Sequence, residues 1–127
     1  MRIEHVALWT RDVERLRAFY ERYFGATAGA RYENPRKQFQ SYFLSFGDGA
    51  RVELMHSPRV GGGEAGEERF GYAHLAISLG SEPAVEALTG RLRADGYAVI
   101  DGPRRTGDGY YESVVLDPDG NRIELTV

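Results

Sequence analysis

Cysteine is absent from all 127 residues, and this excludes disulfides, thiolate metal ligands and cysteine nucleophiles together. Any metal held by this chain must be bound through nitrogen and oxygen. Long apolar runs are absent too: nothing approaches the roughly 20 residues that span a bilayer, and the first strand pattern begins at Ile3. Neither a membrane span nor a signal peptide is visible, so a cytoplasmic protein is expected. Excess positive charge is also lacking, with 16 Lys and Arg against 19 Asp and Glu and a net charge of -3. Such a chain has no general attraction for phosphate backbones, so neither nucleic acid nor a membrane is expected as a partner.

What is present is a repetition. Gly49-Ala50-Arg51-Val52-Glu53-Leu54 returns as Gly120-Asn121-Arg122-Ile123-Glu124-Leu125, each copy preceded by an aspartate, Asp48 and Asp119. Each half also opens on a histidine strand, His5-Val6-Ala7-Leu8 and His74-Leu75-Ala76-Ile77. The two histidines are offset by 69 residues and the two glutamates by 71, a register kept over most of the chain. At this length the halves are expected to be modules of one domain, about 1–57 and 71–127. The stretch between them, about 58–70, is glycine-rich and acidic and reads as a flexible linker, with a flap over the site as the sharper alternative.

Hydrophobic periodicity gives both modules one order of elements. A strand over 2–9 is followed by a helix over 12–24, capped by Thr10 or Asp12, with Val13, Leu16, Phe19, Tyr20, Tyr23 and Phe24 at helical spacing and Gly25 as its stop. Strands follow near 26–33, 38–46 and 50–56, the last two joined at Gly47-Asp48-Gly49. The second module predicts a strand near 72–79 and a helix over 82–94, with Ser81 as cap, Pro83 in the first turn, and Val85, Leu88 and Leu92 on one face. Strands near 97–101, 110–116 and 121–127 complete it, with a turn at Asp117-Pro118-Asp119-Gly120. The pattern is an α+β fold of βαβββ written twice.

Alternation along the strands assigns the faces. Val6 and Leu8 oppose His5, Ala7 and Trp9, and Leu75 and Ile77 oppose His74 and Ala76. Val52 and Leu54 oppose Glu53, and Ile123 and Leu125 oppose Glu124. The aliphatic faces can pack under the helices, which leaves His5, Glu53, His74 and Glu124 together on the helix-free side of an open curved sheet, as candidate ligands of a metal in a trough. Imidazole and carboxylate suit a divalent ion such as Zn, Ni, Co, Mn or Fe. His56 has no counterpart in the second module and reads as a surface or core histidine. Arg36, Lys37, Arg104 and Arg105 read as solvated charges in loops, and Tyr42, Tyr110 and Tyr111 as packing residues.

These motifs resemble the vicinal oxygen chelate superfamily (glyoxalase/bleomycin resistance/dioxygenase), in particular the bacterial glyoxalase I type and its small relatives. The resemblance covers essentially the whole chain, through the His5 strand, Phe19-Tyr20 and Phe24-Gly25, Glu53-Leu54, Gly71-Tyr72-Ala73-His74-Leu75-Ala76, and the run from Asp117 to Leu125. It implies paired βαβββ modules around a metal-binding trough, often with the modules of a homodimer sharing sites, and His5, Glu53, His74 and Glu124 as ligands. It implies a small-molecule substrate with two neighbouring oxygens that chelate the metal, passing through an enediolate, with Glu124 and Glu53 as the acid/base pair and Glu124 as the base. It also marks two departures. The places where the bacterial enzymes carry an arginine and an asparagine that help to hold glutathione are Trp9 and Ser57, which points to a more apolar or aromatic substrate. A metal-dependent dioxygenase of the same fold, and a non-catalytic ligand-binding or drug-resistance module, are the alternative expectations.

Overall fold

The structure is a computed structural model that describes residues 1–61 and 71–127. Its elements are β1 (His5–Trp9), α1 (Val13–Phe24), β2 (Thr27–Ala28), β3 (Tyr32–Asn34), β4 (Phe39–Ser45) and β5 (Arg51–His56), then β6 (Leu75–Ser78), α2 (Glu82–Ala94), β7 (Val99–Arg105), β8 (Tyr111–Leu116) and β9 (Arg122–Thr126). The contacts divide the chain into two units, Met1–Gly62 and Gly63–Val127, each with its own open sheet. Of the expected linker, Ser57 to Val60 forms a turn closed by the Val60 N–H on the Ser57 carbonyl at 3.1 Å. Residues 62–70, on which the flap reading falls, lie outside the described residues.

In the first unit the strand order is β1-β5-β4-β2, with β3 also on β4. β1 and β5 are parallel, so the chain must cross over between them, and α1 makes that crossing. Asp12, not Thr10, caps the helix: its carboxylate accepts the N–H groups of Glu14 and Arg15, both at 3.0 Å. Gly25 ends it in the left-handed region, at φ 63°, where a side chain would be strained. The buried stripe Val13, Leu16, Phe19, Tyr20 and Tyr23 matches the sequence spacing. It packs on β4 and β5, whose Leu44, Val52 and Leu54 are also buried. Each such side chain contributes roughly 1.5–3 kcal/mol by leaving water. The strand expected over 26–33 is two short strands, both antiparallel to β4, with the chain released between Gly29 and Arg31.

The second unit has the order β6-β9-β8-β7, with β6 and β9 parallel. Helix α2 occupies the predicted residues, and Ser81 caps it through the Ala84 N–H at 3.4 Å. Its buried residues are Val85, Thr89 and Leu92, so a threonine takes the place expected for Leu88. Thr89 is tolerated there because its hydroxyl donates to the Val85 carbonyl at 2.6 Å. Its single proton is thus used, and Ser113 of β8 must supply the proton of their mutual 2.6 Å contact.

Strand β7 runs to Arg105, well beyond the expected end at residue 101. The Gly102-Pro103 pair lies inside it, in a stretch with two register shifts against β8. An edge strand absorbs such a pair as a bulge, because one row of its backbone groups needs no ladder partner. Gly102 is required at φ 74°: a Cβ there would sit 2.5 Å from the Glu112 carbonyl oxygen.

Candidate functional site

Both units place a histidine and a glutamate in the same relation. Ala7 of β1 is opposite Glu53 of β5, and Ala76 of β6 is opposite Glu124 of β9, in parallel pairs of equal register. Each histidine stands two residues before its alanine, so it shares that face and can lean over a methyl group towards the carboxylate. His5 Nε2 lies 3.8 Å from Glu53 Oε2, and His74 Nε2 lies 3.4 Å from Glu124 Oε2. Both glutamates are mostly covered while both histidines are substantially exposed, which leaves the pair open on the imidazole side. The expected strands 2–9 and 72–79 are shorter than predicted, so His5 begins β1 and His74 stands just ahead of β6.

The surroundings of the two pairs differ. In the first unit the Glu4 carboxylate accepts from His5 Nδ1 with one oxygen and from the Arg51 guanidinium with the other. These two hydrogen bonds, His5 first, hold Glu4 below the usual carboxylate range. Arg51 lies over the Phe43 ring at 4.3 Å, and Phe43 meets the His5 ring edge to face at 5.3 Å. In the second unit Val114 takes the place of Phe43 opposite the glutamate, and a further carboxylate, Glu112, lies beside Glu124. Burial, and then the charge of Glu124, push Glu112 above its ordinary value. Arg104 stands 3.8 Å from Glu112 and binds Asp101 at 2.7 Å.

Glu4 and Glu112 are the two residues that sequence reasoning missed. Glu112 was within reach of it, because alternation on β8 puts 112 in phase with Val114, which faces Glu124. Glu4 was not: a strand running from residue 2 would turn Glu4 away from His5, and the contact exists because β1 starts only at His5.

The remaining candidates are placed as follows. His56 Nδ1 is 2.9 Å from the Thr10 carbonyl, a bond that ties β5 to the end of β1. Tyr42 and Tyr111 turn to the helices and donate to Glu14 at 2.6 Å and Glu86 at 2.7 Å. Tyr110 is exposed. Arg104 and Arg105 lie in β7 rather than in a loop, and Arg105 pairs with Glu82 of α2. Trp9 is exposed on the face of His5 and meets Phe39 edge to face at 6.2 Å, while Ser57 accepts the Arg59 N–H at 3.4 Å. A cavity of about 320 Å³ bounded by Glu33, Phe39, Gln40 and His56 contains none of the four predicted ligands.

The donor chemistry of each pair suits a divalent cation. Metal bonds of about 2.0–2.2 Å to a nitrogen and an oxygen set the two donors roughly 3 Å apart. The second pair nearly meets that spacing, and the first is a few tenths of an ångström wider. Among the described residues the His, Asp and Glu side chains form no metal-holding group of three or more, so each unit by itself offers two donors.

The whole pattern matches a known family: the model of the Glyoxalase/Bleomycin resistance protein/Dioxygenase superfamily aligns with residues 2–125. The chain belongs to this superfamily. A lactoylglutathione lyase of Salmonella typhimurium is 32% identical to it over 127 residues, covering 98% of this chain and 91% of the relative. A solved structure of a possible glyoxalase from Bacillus cereus superposes with a TM-score of 0.75 at 28% identity, over 100% of this chain and 99% of that one. The trypanothione-dependent glyoxalase I of Leishmania major, 23% identical, shares the fold with a TM-score of 0.78 over 99% of this chain and 86% of its own. The superfamily fold is the α+β arrangement of helices and open sheets described above, and likeness to the Salmonella typhimurium relative and the Bacillus cereus structure makes the protein glyoxalase-like. Among the described residues no helix is long and apolar enough to cross a membrane.

Proposed function

We propose that this protein is a divalent-metal-dependent lyase or isomerase of the glyoxalase I type, acting on a small α-hydroxycarbonyl adduct such as a hemithioacetal. The observation that carries it is the duplicated His–Glu pair, His5 with Glu53 and His74 with Glu124, set at equal register in the two units. In this reading the units act as one domain and the two pairs complete one four-ligand centre, within a chain or between the chains of a homodimer. Ni, Zn, Co, Mn and Fe all suit the nitrogen and oxygen donors. The cation supplies electrostatic stabilisation for the negative charge that develops on two neighbouring substrate oxygens.

The carboxylates move the proton. Glu124 takes it from C1 of the adduct, and the C–H electrons form the enediolate. Glu53, protonated at the outset, gives a proton to C2, and the hydroxyl proton passes from the C1 oxygen to the C2 oxygen. Proton exchange through solvent resets the two carboxylates, so an adduct becomes its isomeric thioester with no net oxidation. Glu112, partly buried and crowded by Glu124, is harder to ionise than an ordinary glutamate. Trp9 stands exposed on the ligand face of β1, where an aromatic or apolar portion of a substrate can stack. The relatives themselves are named for different thiols, so glutathione is one candidate carrier among several.

Metal analysis of the purified, reconstituted protein, with an assay of thioester formation from methylglyoxal and a panel of thiols, tests the proposal. Stoichiometric cation lost on Glu53→Ala and Glu124→Ala, with turnover on at least one thiol, is expected. Protein that holds no stoichiometric divalent ion under any loading sinks the proposal and favours a binding module. Turnover with a thiol other than glutathione revises the substrate and keeps the class.

A further inference from the structure

We infer that Glu4 is a positioning residue that holds His5 with its ring proton on Nδ1 and its lone pair on Nε2, the nitrogen turned towards Glu53. A carboxylate only accepts hydrogen bonds, so the proton shared between Glu4 and His5 belongs to Nδ1. In the neutral ring Nε2 is then free to act as a ligand. The tautomer of a ligating histidine is set in this way by the partner of its other nitrogen, and that partner adds basicity to the ring.

Four further contacts fix the geometry. The second oxygen of Glu4 is taken by Arg51, whose own N–H donates to the Glu4 carbonyl at 3.0 Å. Arg51 is pinned over Phe43 at 4.3 Å. Phe43 in turn stands edge to face with the His5 ring. The circuit Glu4, His5, Phe43, Arg51 closes on itself, so neither the carboxylate nor the imidazole can turn without breaking a contact. The second unit has the arginine of the repeat, Arg122, but Ala73 and Val114 stand where Glu4 and Phe43 do, and an alanine side chain offers no acceptor. The device therefore belongs to one half-site, and it makes His5 the preset ligand of the two.

The inference rests on the metal reading above only for its affinity arm, because the tautomer is readable without metal. Three histidines give three ring systems in a long-range ¹⁵N–¹H correlation spectrum of the ¹⁵N-labelled, metal-free full-length protein, recorded at about pH 8.5. Wild type should show His5 as the Nδ1–H form, and Glu4→Ala should shift it to the mixed or Nε2–H form while His74 stays unchanged. Glu4→Gln, which keeps an acceptor oxygen, should restore most of the Nδ1–H form. In Ni²⁺ titration by calorimetry Glu4→Ala should bind about 10–100-fold more weakly, the usual loss when such a partner is removed. An unchanged His5 tautomer in Glu4→Ala overturns the inference, as does Ni²⁺ affinity within twofold of wild type. Loss of the tautomer in a protein that binds no Ni²⁺ even as wild type supports the positioning role and sinks the metal reading instead. Glu4 is exposed, so the folded state of the variant is not at stake.

Discussion

The two units carry one motif at one register and surround it differently. In the first, aromatic side chains dominate: Phe19, Tyr20, Tyr23 and Phe24 cluster along α1, Phe43 faces Glu53, and Glu4 holds the histidine. In the second, aliphatic packing surrounds a buried Thr89–Ser113 hydrogen bond, Val114 faces Glu124, and a second carboxylate crowds the glutamate. The common backbone sets where the paired side chains stand. The neighbours differ in kind: those of the first unit fix a histidine nitrogen, and those of the second set a further carboxylate beside the glutamate.

If that division is correct, the largest asymmetry is catalytic. Glu124→Gln should lower kcat by about 10²–10⁴-fold, the range for loss of a general base, and Glu53→Gln should lower it less. Single-turnover kinetics with metal content held equal checks this, and equal losses would break the comparison. Core deletions should show no such asymmetry. Leu54→Ala and Leu125→Ala remove fully buried leucines at repeated positions, and each should cost about 2–5 kcal/mol by urea unfolding.

A smaller difference is expected from the polar core of the second unit. Thr89→Val leaves the Ser113 hydroxyl buried without the acceptor it now uses, a cost of about 1–3 kcal/mol. Helix caps should differ by less. Asp12→Ala should cost about 1 kcal/mol and Ser81→Ala only a fraction of that, because Asp12 accepts two N–H groups at 3.0 Å and Ser81 accepts one at 3.4 Å.

The pH dependence of stability should have opposite sign in the two units. The Tyr42 hydroxyl, more than Arg17 or Arg31, holds Glu14 below its ordinary value of 4.5. Its contribution is present above that value and is lost as pH falls through the lower folded-state pKa, so Tyr42→Phe should flatten the acid limb of a stability profile. Asp117 is raised above 3.8 by burial, against the hydrogen bonds it accepts from Asn121 and Asp119. Its contribution is present below 3.8 and is lost as pH rises through the higher folded-state pKa, so Asp117→Asn should flatten the profile on that side. Urea midpoints across the acid range measure both. The same slope change from both variants would contradict the assignment.

Much of this was legible in the residues. Val13, Leu16, Phe19, Tyr20 and Tyr23 mark the buried side of α1, the helix 82–94 stands as expected, and alternation places each histidine on the face of its glutamate. Periodicity works there because regular helices and paired strands repeat their side-chain directions. It failed where regularity stops. The strand expected to end near 101 runs on to Arg105 through a bulge at Gly102-Pro103, and the single strand expected over 26–33 is two. In both places pairing with the neighbouring strand, β8 or β4, overrides the local preference of the chain.

The chain by itself determined the βαβββ order, the two copies of the His and Glu pair and the faces on which they stand, because these follow from spacing along a regular backbone. Only the tertiary structure decided that Glu4 reaches His5 and that Glu112 crowds Glu124. Glu4 lies just outside a strand, where alternation assigns no direction, and its side chain turns to the strongest partners in reach, His5 and Arg51. Glu112 follows β8, but its closeness to Glu124 depends on the register between two strands, and that is set by pairing across the sheet.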